Sequence, residues 1–432
     1  VSNINCILYP PSINYDYLIQ RPQQLMKSFS EQNITCYYLN HIENTVPKKV
    51  RQINPHLYIL DNTDPTPYLA NKRPVVYFTI PQHIQLVDQY NPALVVYDSL
   101  DEPVEEFAPW EKHYHLAVKQ SDLVITTSDK LFNLAKGINP NTYLVPNGCD
   151  YAHFSQAANK NLPVPADIIN IPQPIIGYIG AVASWCDMGL IEKIAQTHSH
   201  CSIVLIGPLF NLNQNQIPNL PNVHWLGYKP YQELPNYAQR FNVGIIPFRK
   251  SQMTSSVNPI KMWEYLATGM PVVTSAIPEI NKFAEYIYYS EDDNQFINNI
   301  AEALANQDDK WPRMALAERN SWTIRARQIL QIIEEHLAQK EETPNQTGTN
   351  YLKTSLLSSP YFSVGTPKER RLNIAKNNYF KIVVRAGPNQ IMVSKTATKK
   401  AQNKTYKAIL NVGRGASFQI KTARARIVGD TH

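Results

Sequence analysis

Short apolar runs separated by amphipathic stretches recur along the first 340 residues, and this alternation is what most limits the folds open to the chain. A strand buried on both faces reads as a continuous apolar run, whereas the crossover helix that covers it carries one apolar stripe. In the first half the runs Cys6–Tyr9, Thr35–Leu39, Leu57–Leu60, Val75–Thr79, Leu94–Tyr97, Leu123–Thr126 and Thr142–Val145 read as strands. Between them, Arg21–Glu31 aligns Leu25, Met26 and Phe29 on one helical face. Ser128 suits the N-cap of a helix over Asp129–Lys136, and Gly137 can end it. Pro163, Pro165, Pro172 and Pro174 then make Asn159–Pro174 a poor helix and a poor central strand, hence a linker. The rhythm restarts with strands at Ile175–Ile179, Ser202–Ile206, Val223–Leu226, Val243–Pro247 and Pro271–Thr274. Helices are expected over Met188–Gln196, Leu234–Arg240 and Pro259–Ala267, and one long helix from Trp311 to about Gln339. The expected class is α/β: two doubly wound domains, 1–163 and 170–340, facing a cleft where ligands bind beyond the carboxyl ends of the strands.

Composition removes several rival classes. A 43% apolar chain with 25 Tyr, 13 Phe and 6 Trp is neither disordered, collagen-like nor a disulfide scaffold. Five dispersed cysteines (Cys6, Cys36, Cys149, Cys186, Cys201) with no CxxC spacing point to a reduced, cytoplasmic setting and no zinc site. No basic segment precedes an apolar one at the start, and no run approaches 18 apolar residues, so neither a leader nor a spanning helix is expected. The net charge of +6 divides unevenly: from Tyr351 onward stand 16 Lys and Arg against Glu369 and Asp430. The remainder holds 25 bases against 33 acids, so an acidic body carries a basic tail.

The most informative segment is Thr254–Ser275, TSSVNPIKMWEYLATGMPVVTS. Asn258 is a favoured N-cap, Pro259 suits the first helical position, Gly269 can adopt the left-handed conformation, and Pro271 prevents continuation. The amino end of such a helix offers free N–H groups and a positive dipole end, suited to a diphosphate. Lys261 is the wrong charge for that dipole, which points to an anionic ligand. Glu264 lies ~9 Å along the axis at ~1.5 Å per residue, within reach of a ribose whose phosphates sit at the helix end. A solvated Lys261–Glu264 pair, worth tenths of a kcal/mol, explains the same two residues.

The segment resembles the sugar-nucleotide site of family-4-type glycosyltransferases with the GT-B fold. Glu264-Tyr-Leu-Ala-Thr-Gly269 followed by Pro271-Val-Val matches the second of the family's two glutamates, which holds the ribose. Further matches stand in family order: Ile176-Gly-Tyr-Ile-Gly180, Leu205-Ile-Gly-Pro208, Asn222-Val-His-Trp-Leu-Gly227, Glu233-Leu-Pro-Asn-Tyr237 and Asn242-Val-Gly-Ile-Ile-Pro-Phe248. Asn320-Ser-Trp322 with Arg325 resembles the terminal helix that returns to the first domain. The first half adds Gln20-Arg-Pro-Gln-Gln-Leu25, Val96-Tyr-Asp-Ser-Leu-Asp101, Asp122-Leu-Val-Ile-Thr-Thr-Ser128 and Val145-Pro-Asn-Gly-Cys-Asp150. Together these are similar to the subgroup of teichuronic-acid-type glycosyltransferases, over residues 4–337. Two departures stand out. Ser256 occupies the place of the first glutamate, and Ala-Val-Ala-Ser-Trp-Cys-Asp187 after Gly180 lacks the Arg and Lys that relatives aim at the diphosphate.

The resemblance implies two Rossmann-like domains, the second binding the sugar nucleotide through Gly177, Gly180, Ser256, Asn258, Lys261 and Glu264. On the acceptor side it implies Arg21, Asp98 and Asp101, with His83 at a strand end beside the cleft and Lys261 as the candidate catalytic groups. The implied reaction moves a sugar with retention from a nucleotide diphosphate to a glycan or lipid-linked acceptor, with no cofactor and no metal, in surface polysaccharide assembly. A catalytically silent sugar-nucleotide or glycan binder is the alternative that the departures motivate, and an epimerase of the same fold is a third. Residues 341–359 read as a linker, and 360–432 as a small basic β-rich extension. Its strands are expected at Tyr379–Arg385, Gln390–Lys395, Thr405–Val412, Ser417–Lys421 and Arg424–Val428. Such an extension suits an anionic membrane surface, as at the inner membrane face, or a polyanion.

Overall fold

The computed structural model describes residues 3–40, 48–70, 72–306, 309–342, 371–373, 380–386, 390–397 and 405–411. The chain divides into two compact units, Val1–Ala338 and Gln339–His432. The first unit holds two sheets. The strands of the first sheet are β1 (Ile7–Tyr9), β2 (Cys36–Leu39), β3 (Lys49–Asn54), β4 (Leu57–Asp61), β5 (Val75–Phe78), β6 (Leu94–Ser99), β7 (Leu123–Thr126) and β8 (Thr142–Leu144). They lie in the order β3-β4-β2-β1-β5-β6-β7-β8, all parallel except the β3–β4 pair. The helices accompanying them are α1 (Arg21–Ser30), α2 (Thr66–Leu69), α3 (Glu111–Gln120), α4 (Asp129–Lys136) and α5 (Tyr151–Phe154).

The second sheet uses β9 (Ile175–Ile179), β11 (Ser202–Ile206), β13 (Val223–Trp225), β14 (Val243–Ile246), β15 (Val272–Ser275) and β16 (Tyr288–Ser290). Their order is β13-β11-β9-β14-β15-β16, all parallel, and a short ribbon pairs β10 (Val182–Ala183) with β12 (Leu209–Phe210) beyond the sheet. Its helices are α6 (Met188–Thr197), α7 (Leu234–Ala238), α8 (Ile260–Thr268), α9 (Asp293–Ala305), α10 (Trp311–Arg319) and α11 (Trp322–Glu342). Strand order reverses at β1/β5 in the first sheet and at β9/β14 in the second, and these switch points are where such sheets open a crevice.

The polar edge strand β3 is not among the expected strands: with three of its six side chains exposed it lacks the apolar run that marks the others. The long helix expected from Trp311 is two helices. Trp322 donates its N–H to the Cys149 carbonyl at 3.0 Å, and the Cys149 N–H donates to the Asn320 carbonyl. This pairing breaks the helix at Asn320–Ser321. Gly148 permits it, since a Cβ there would lie 2.4 Å from the Asn320 oxygen. Beyond the break α11 leaves the second sheet, and Trp322, Ala326, Ile329, Ile333 and Leu337 join Leu25, Phe29, Ile59 and Tyr77 in the core of the first.

In the second unit β17 (Arg371–Asn373), β18 (Phe380–Ala386), β19 (Gln390–Ala397) and β20 (Thr405–Asn411) form an antiparallel meander in chain order. Three expected strands thus coincide with β18, β19 and β20. Ser417–Lys421, Arg424–Val428 and the linker beyond residue 342 lie outside the described residues.

Candidate functional site

The loops at the β9/β14 switch point build one wall. Gly180, at φ +139°, turns the chain out of β9, and its N–H donates to the Ile206 carbonyl at 2.8 Å. The following loop lies beside the one after β14: Arg249 N–H donates to the Trp185 carbonyl at 2.9 Å, and Cys186 forms an antiparallel bridge with Phe248. Lys261, on the first turn of α8, reaches into this corner. A Cβ on Gly180 would lie 3.0 Å from its Nζ, so glycine is what leaves the ammonium its place. The Nζ stands 5.2 Å from the Tyr178 ring centroid and 5.1 Å from that of Phe248. Two aromatic faces supply the cation–π attraction that helps hold a desolvated charge. No carboxylate pairs with Lys261 among the described residues. Burial pulls its pKa below the ordinary lysine value, with Cys186 and Glu264 opposing.

One turn on, Glu264 is 8% exposed and its carboxyl has no hydrogen-bond partner among the described residues. Burial pushes its pKa up to about 7, Lys261 drawing it back and Asp150 pushing it further up. The solvated Lys261–Glu264 pair is therefore not what forms: the two residues make no ion pair, and both are largely withdrawn from water. A carboxylate in this state gains from any ligand hydroxyl that donates to it.

The rest of α8 departs from expectation in detail. Gly269 takes the left-handed conformation at φ +80°, as its position after the last turn requires. The N-cap, however, is Pro259, because the Asn258 side chain is used inward: its Oδ1 accepts from Trp263 Nε1 at 3.1 Å and its Nδ2 faces Glu279 Oε1 at 3.5 Å. Asn258 is thus corrected from a phosphate ligand to a brace for the helix start. Ser256 is corrected likewise, since it is 1% exposed and its Oγ donates to the Met253 carbonyl at 2.8 Å. Gly177 lies mid-strand in β9, and a Cβ there would fall 2.0 Å from the Phe241 ring. It makes room for the core and not for a ligand. Asp187 caps α6, accepting from the Leu190 N–H at 3.0 Å.

On the first sheet, Arg21 and Asp98 form a buried ion pair, 1% and 0% exposed, with Arg21 Nε donating to Asp98 Oδ2 at 2.7 Å. The Tyr77 hydroxyl donates to the same oxygen at 2.7 Å. Both residues are corrected from acceptor contacts to internal supports. Arg21 Nη1 also donates to the Pro146 carbonyl at 3.1 Å and to Asn147 Oδ1 at 3.2 Å, and Asn147 Nδ2 donates to the Asn258 carbonyl at 2.6 Å. The pair therefore fixes the loop that holds the start of α8 against the first half of the chain. Asn147 was legible only as part of a motif, without a role.

Asp101 and His83 keep their places near the carboxyl edge of the first sheet. Asp101 follows β6, is half-buried and has no hydrogen-bond partner among the described residues, and burial pushes its pKa up to about 7. His83 lies in the turn Pro81–Gln85 beyond β5, with a buried Nδ1 that finds no partner among the described residues. Burial lowers its pKa to about 4, against a backbone contact at Pro11, so it is neutral at physiological pH.

Sequence reasoning missed Arg249, which is exposed, pairs with no carboxylate among the described residues, and acts with Lys261 to draw down the Cys186 thiol that burial raises. It also missed an acidic loop. Glu106 accepts from Ser184 Oγ at 2.6 Å, Glu105 from the Gln252 N–H at 3.0 Å, and Glu102 from Gln252 Nε2 at 2.8 Å, while Glu102 also forms an ion pair with Lys130 Nζ at 2.7 Å. The signal was present as three acids just after a strand; Ser184 and Gln252, 78 to 150 residues away, were not visible as their partners.

Comparison with known proteins agrees with this fold. Residues 173–306 match the family described as glycosyl transferases group 1. Over 293 residues the chain is 27% identical to TuaH of Bacillus subtilis, named as a candidate teichuronic acid biosynthesis glycosyltransferase, covering 61% of this chain and 73% of TuaH. Sucrose-phosphate synthase from Thermosynechococcus elongatus superposes with a TM-score of 0.60 at 17% identity, covering 77% of this chain and 100% of that one. Anabaena HepE in complex with UDP and glucose does so with a TM-score of 0.56 at 13% identity, over 77% and 99%.

Proposed function

We propose that this chain, a glycosyltransferase of the GT-B fold with a glycosyl transferases group 1 domain over residues 173–306, takes its sugar from a nucleotide diphosphate held at the Lys261–Glu264 turn of α8. The observation that carries this reading is the pair itself: a cation and a carboxylate one turn apart, both sunk at the switch point of the second sheet, neither neutralised by the other. An anionic diphosphate satisfies Lys261 and the free N–H groups at the start of α8, while ribose hydroxyls donate to Glu264. HepE, which shares the fold, was captured with UDP and glucose.

The reaction is attack by an acceptor hydroxyl on the anomeric carbon, as the bond from that carbon to the phosphate oxygen breaks. Negative charge grows on the departing phosphate, so a cation fixed there stabilises the transition state more than the ground state. On the opposite sheet Asp101, half-buried just beyond β6, is read as a contact to the acceptor, and the departing phosphate oxygen takes the proton of the attacking hydroxyl. His83, neutral at physiological pH, is placed to hydrogen-bond a sugar hydroxyl. Retention of configuration and a glycan or lipid-linked acceptor belong to the same proposal, and the likeness to TuaH supports a role in surface polysaccharide assembly. No helix among the described residues is long and apolar enough to cross a membrane. The basic tail is the part of the chain suited to an anionic membrane surface or another polyanion.

Replacing Lys261 with Ala tests the assignment. Turnover should fall ~100-fold, the size of a lost charge-stabilising group, while the unfolding temperature moves little. Retained transfer and retained hydrolysis of the sugar nucleotide would remove the phosphate site from α8. Ser256, turned inward where relatives carry a glutamate, favours a second reading, a silent binder of sugar nucleotides. Calorimetric binding without any hydrolysis across a panel of sugar nucleotides would select it.

A further inference from the structure

We propose that the Ser184 hydroxyl and the Gln252 backbone N–H are phosphate-binding groups of this site, and that Glu105 and Glu106 occupy them until a nucleotide diphosphate displaces the two carboxylates. The inference rests on the sugar-nucleotide reading above and adds two ligands and a competitor to it. Ser184 stands four residues beyond Gly180, against which the Lys261 ammonium lies. Gln252 stands three residues beyond Arg249, on the loop whose Phe248 ring underlies that ammonium at 5.1 Å. The two loops are joined side by side through Arg249–Trp185 and Cys186–Phe248. Both hydrogen-bond donors therefore belong to the wall that Lys261 enters.

What they hold is anionic. Ser184 Oγ donates to Glu106 at 2.6 Å and the Gln252 N–H donates to Glu105 at 3.0 Å. A carboxylate and a phosphate oxygen make the same demand on such donors, and a diphosphate brings more charge and more acceptor atoms. Glu105 and Glu106 are consecutive, so their Cα atoms are about 3.8 Å apart.

The carboxylates are poised to leave. Glu105 has φ +50°, a left-handed conformation that a residue with a Cβ adopts at a cost. Glu106 Oε2 is buried with no partner among the described residues, so half of that carboxylate is unsatisfied by them. Glu102, held by Lys130 and the Gln252 side chain, keeps the root of the loop in place. A diphosphate between these acids and Lys261 repels them and is favoured by their departure.

Calorimetry on the full chain with UDP, ADP, GDP, CDP and dTDP identifies the diphosphate that binds, and the matching nucleoside serves as the phosphate-free control. In the double variant Glu105→Gln/Glu106→Gln the diphosphate should bind ~tenfold tighter, since two charge-assisted competitors are gone, with the nucleoside unchanged. Ser184→Ala in that background should weaken the diphosphate several-fold, again without moving the nucleoside. Unchanged or weaker diphosphate binding in the double variant overturns the proposal, as does equal tightening of the nucleoside, which would report a looser cleft. If the unaltered chain binds none of the five diphosphates, the sugar-nucleotide reading itself falls and this inference with it. Thermal unfolding of each variant checks that the exposed loop changes leave the fold intact.

Discussion

Glu264 is held in the folded chain against its own ionisation. Its pKa stands at about 7 where an ordinary glutamate has 4.5, so between those values the folded state binds more protons than the unfolded one. Stability therefore falls as pH rises through that window, and the loss is complete above 7. Glu264→Gln should raise stability by about 3 kcal/mol at pH 8 and leave it unchanged at pH 4, as denaturant titrations at the two pH values will read out. The same substitution should weaken nucleotide diphosphate binding, because an amide is a poorer acceptor for ribose hydroxyls. A stabilising change that harms binding is the signature of a functional carboxylate. The residue type and its spacing from the helix start made Glu264 legible as a candidate. Its lack of a partner was not legible, because the groups around it, Cys149, Asp150 and Tyr231, lie far along the chain. Arg21 and Asp98 show the converse. Each was expected on the acceptor side, and only the pairing of the two across 77 residues shows them as interior supports.

At the scale of elements, β9 and α8 explain why some expectations hold. The end of α8 is set by Gly269 and Pro271 alone, a local matter of backbone conformation, and the structure follows. Its beginning depends on whether the Asn258 side chain bonds its own helix or Trp263, and packing against the indole decides. In β9 the glycine at 177 is a packing device. Gly177→Ala drives a methyl into the Phe241 ring and should destabilise by ~1–3 kcal/mol, the range for overpacking, with little change in ligand affinity for the folded fraction. Thermal denaturation beside calorimetry separates those two effects. Breaking the pair beneath α1 is more severe. Asp98→Ala leaves the Arg21 charge buried and unpaired and should cost ~3–5 kcal/mol, whereas breaking a solvent-exposed ion pair such as Lys193–Asp293 should cost far less. Denaturant midpoints of the two variants provide the comparison.

Taken whole, the first unit is held together across its cleft by polar contacts and by one returning helix. Gln24 Nε2 donates to the Tyr231 hydroxyl at 2.7 Å, Glu279 accepts from the Asp129 N–H at 2.9 Å, and α11 closes the core of the first sheet. A chain ended after Asn320 lacks Trp322, Ile329 and Ile333 and should lose cooperative unfolding of the first sheet, although every strand of that sheet remains. Native-state hydrogen exchange localised to β1, β5 and β6 would report it, and unaltered protection there would contradict the role given to α11. The sequence by itself determined the alternation of strands and helices, the two sheets, the terminated helix expected over Pro259–Ala267 and found at Ile260–Thr268, and Lys261 and Glu264 as candidates. These depend on periodicity, caps and turn residues, which act within a few positions. Only the tertiary structure decided that Gly177, Asn258, Arg21 and Asp98 serve the interior, that the helix from Trp311 breaks, and that an acidic loop meets the loops after β9 and β14. Those outcomes depend on which distant side chains fill a space or meet a charge, and close packing settles that only after the whole chain has assembled.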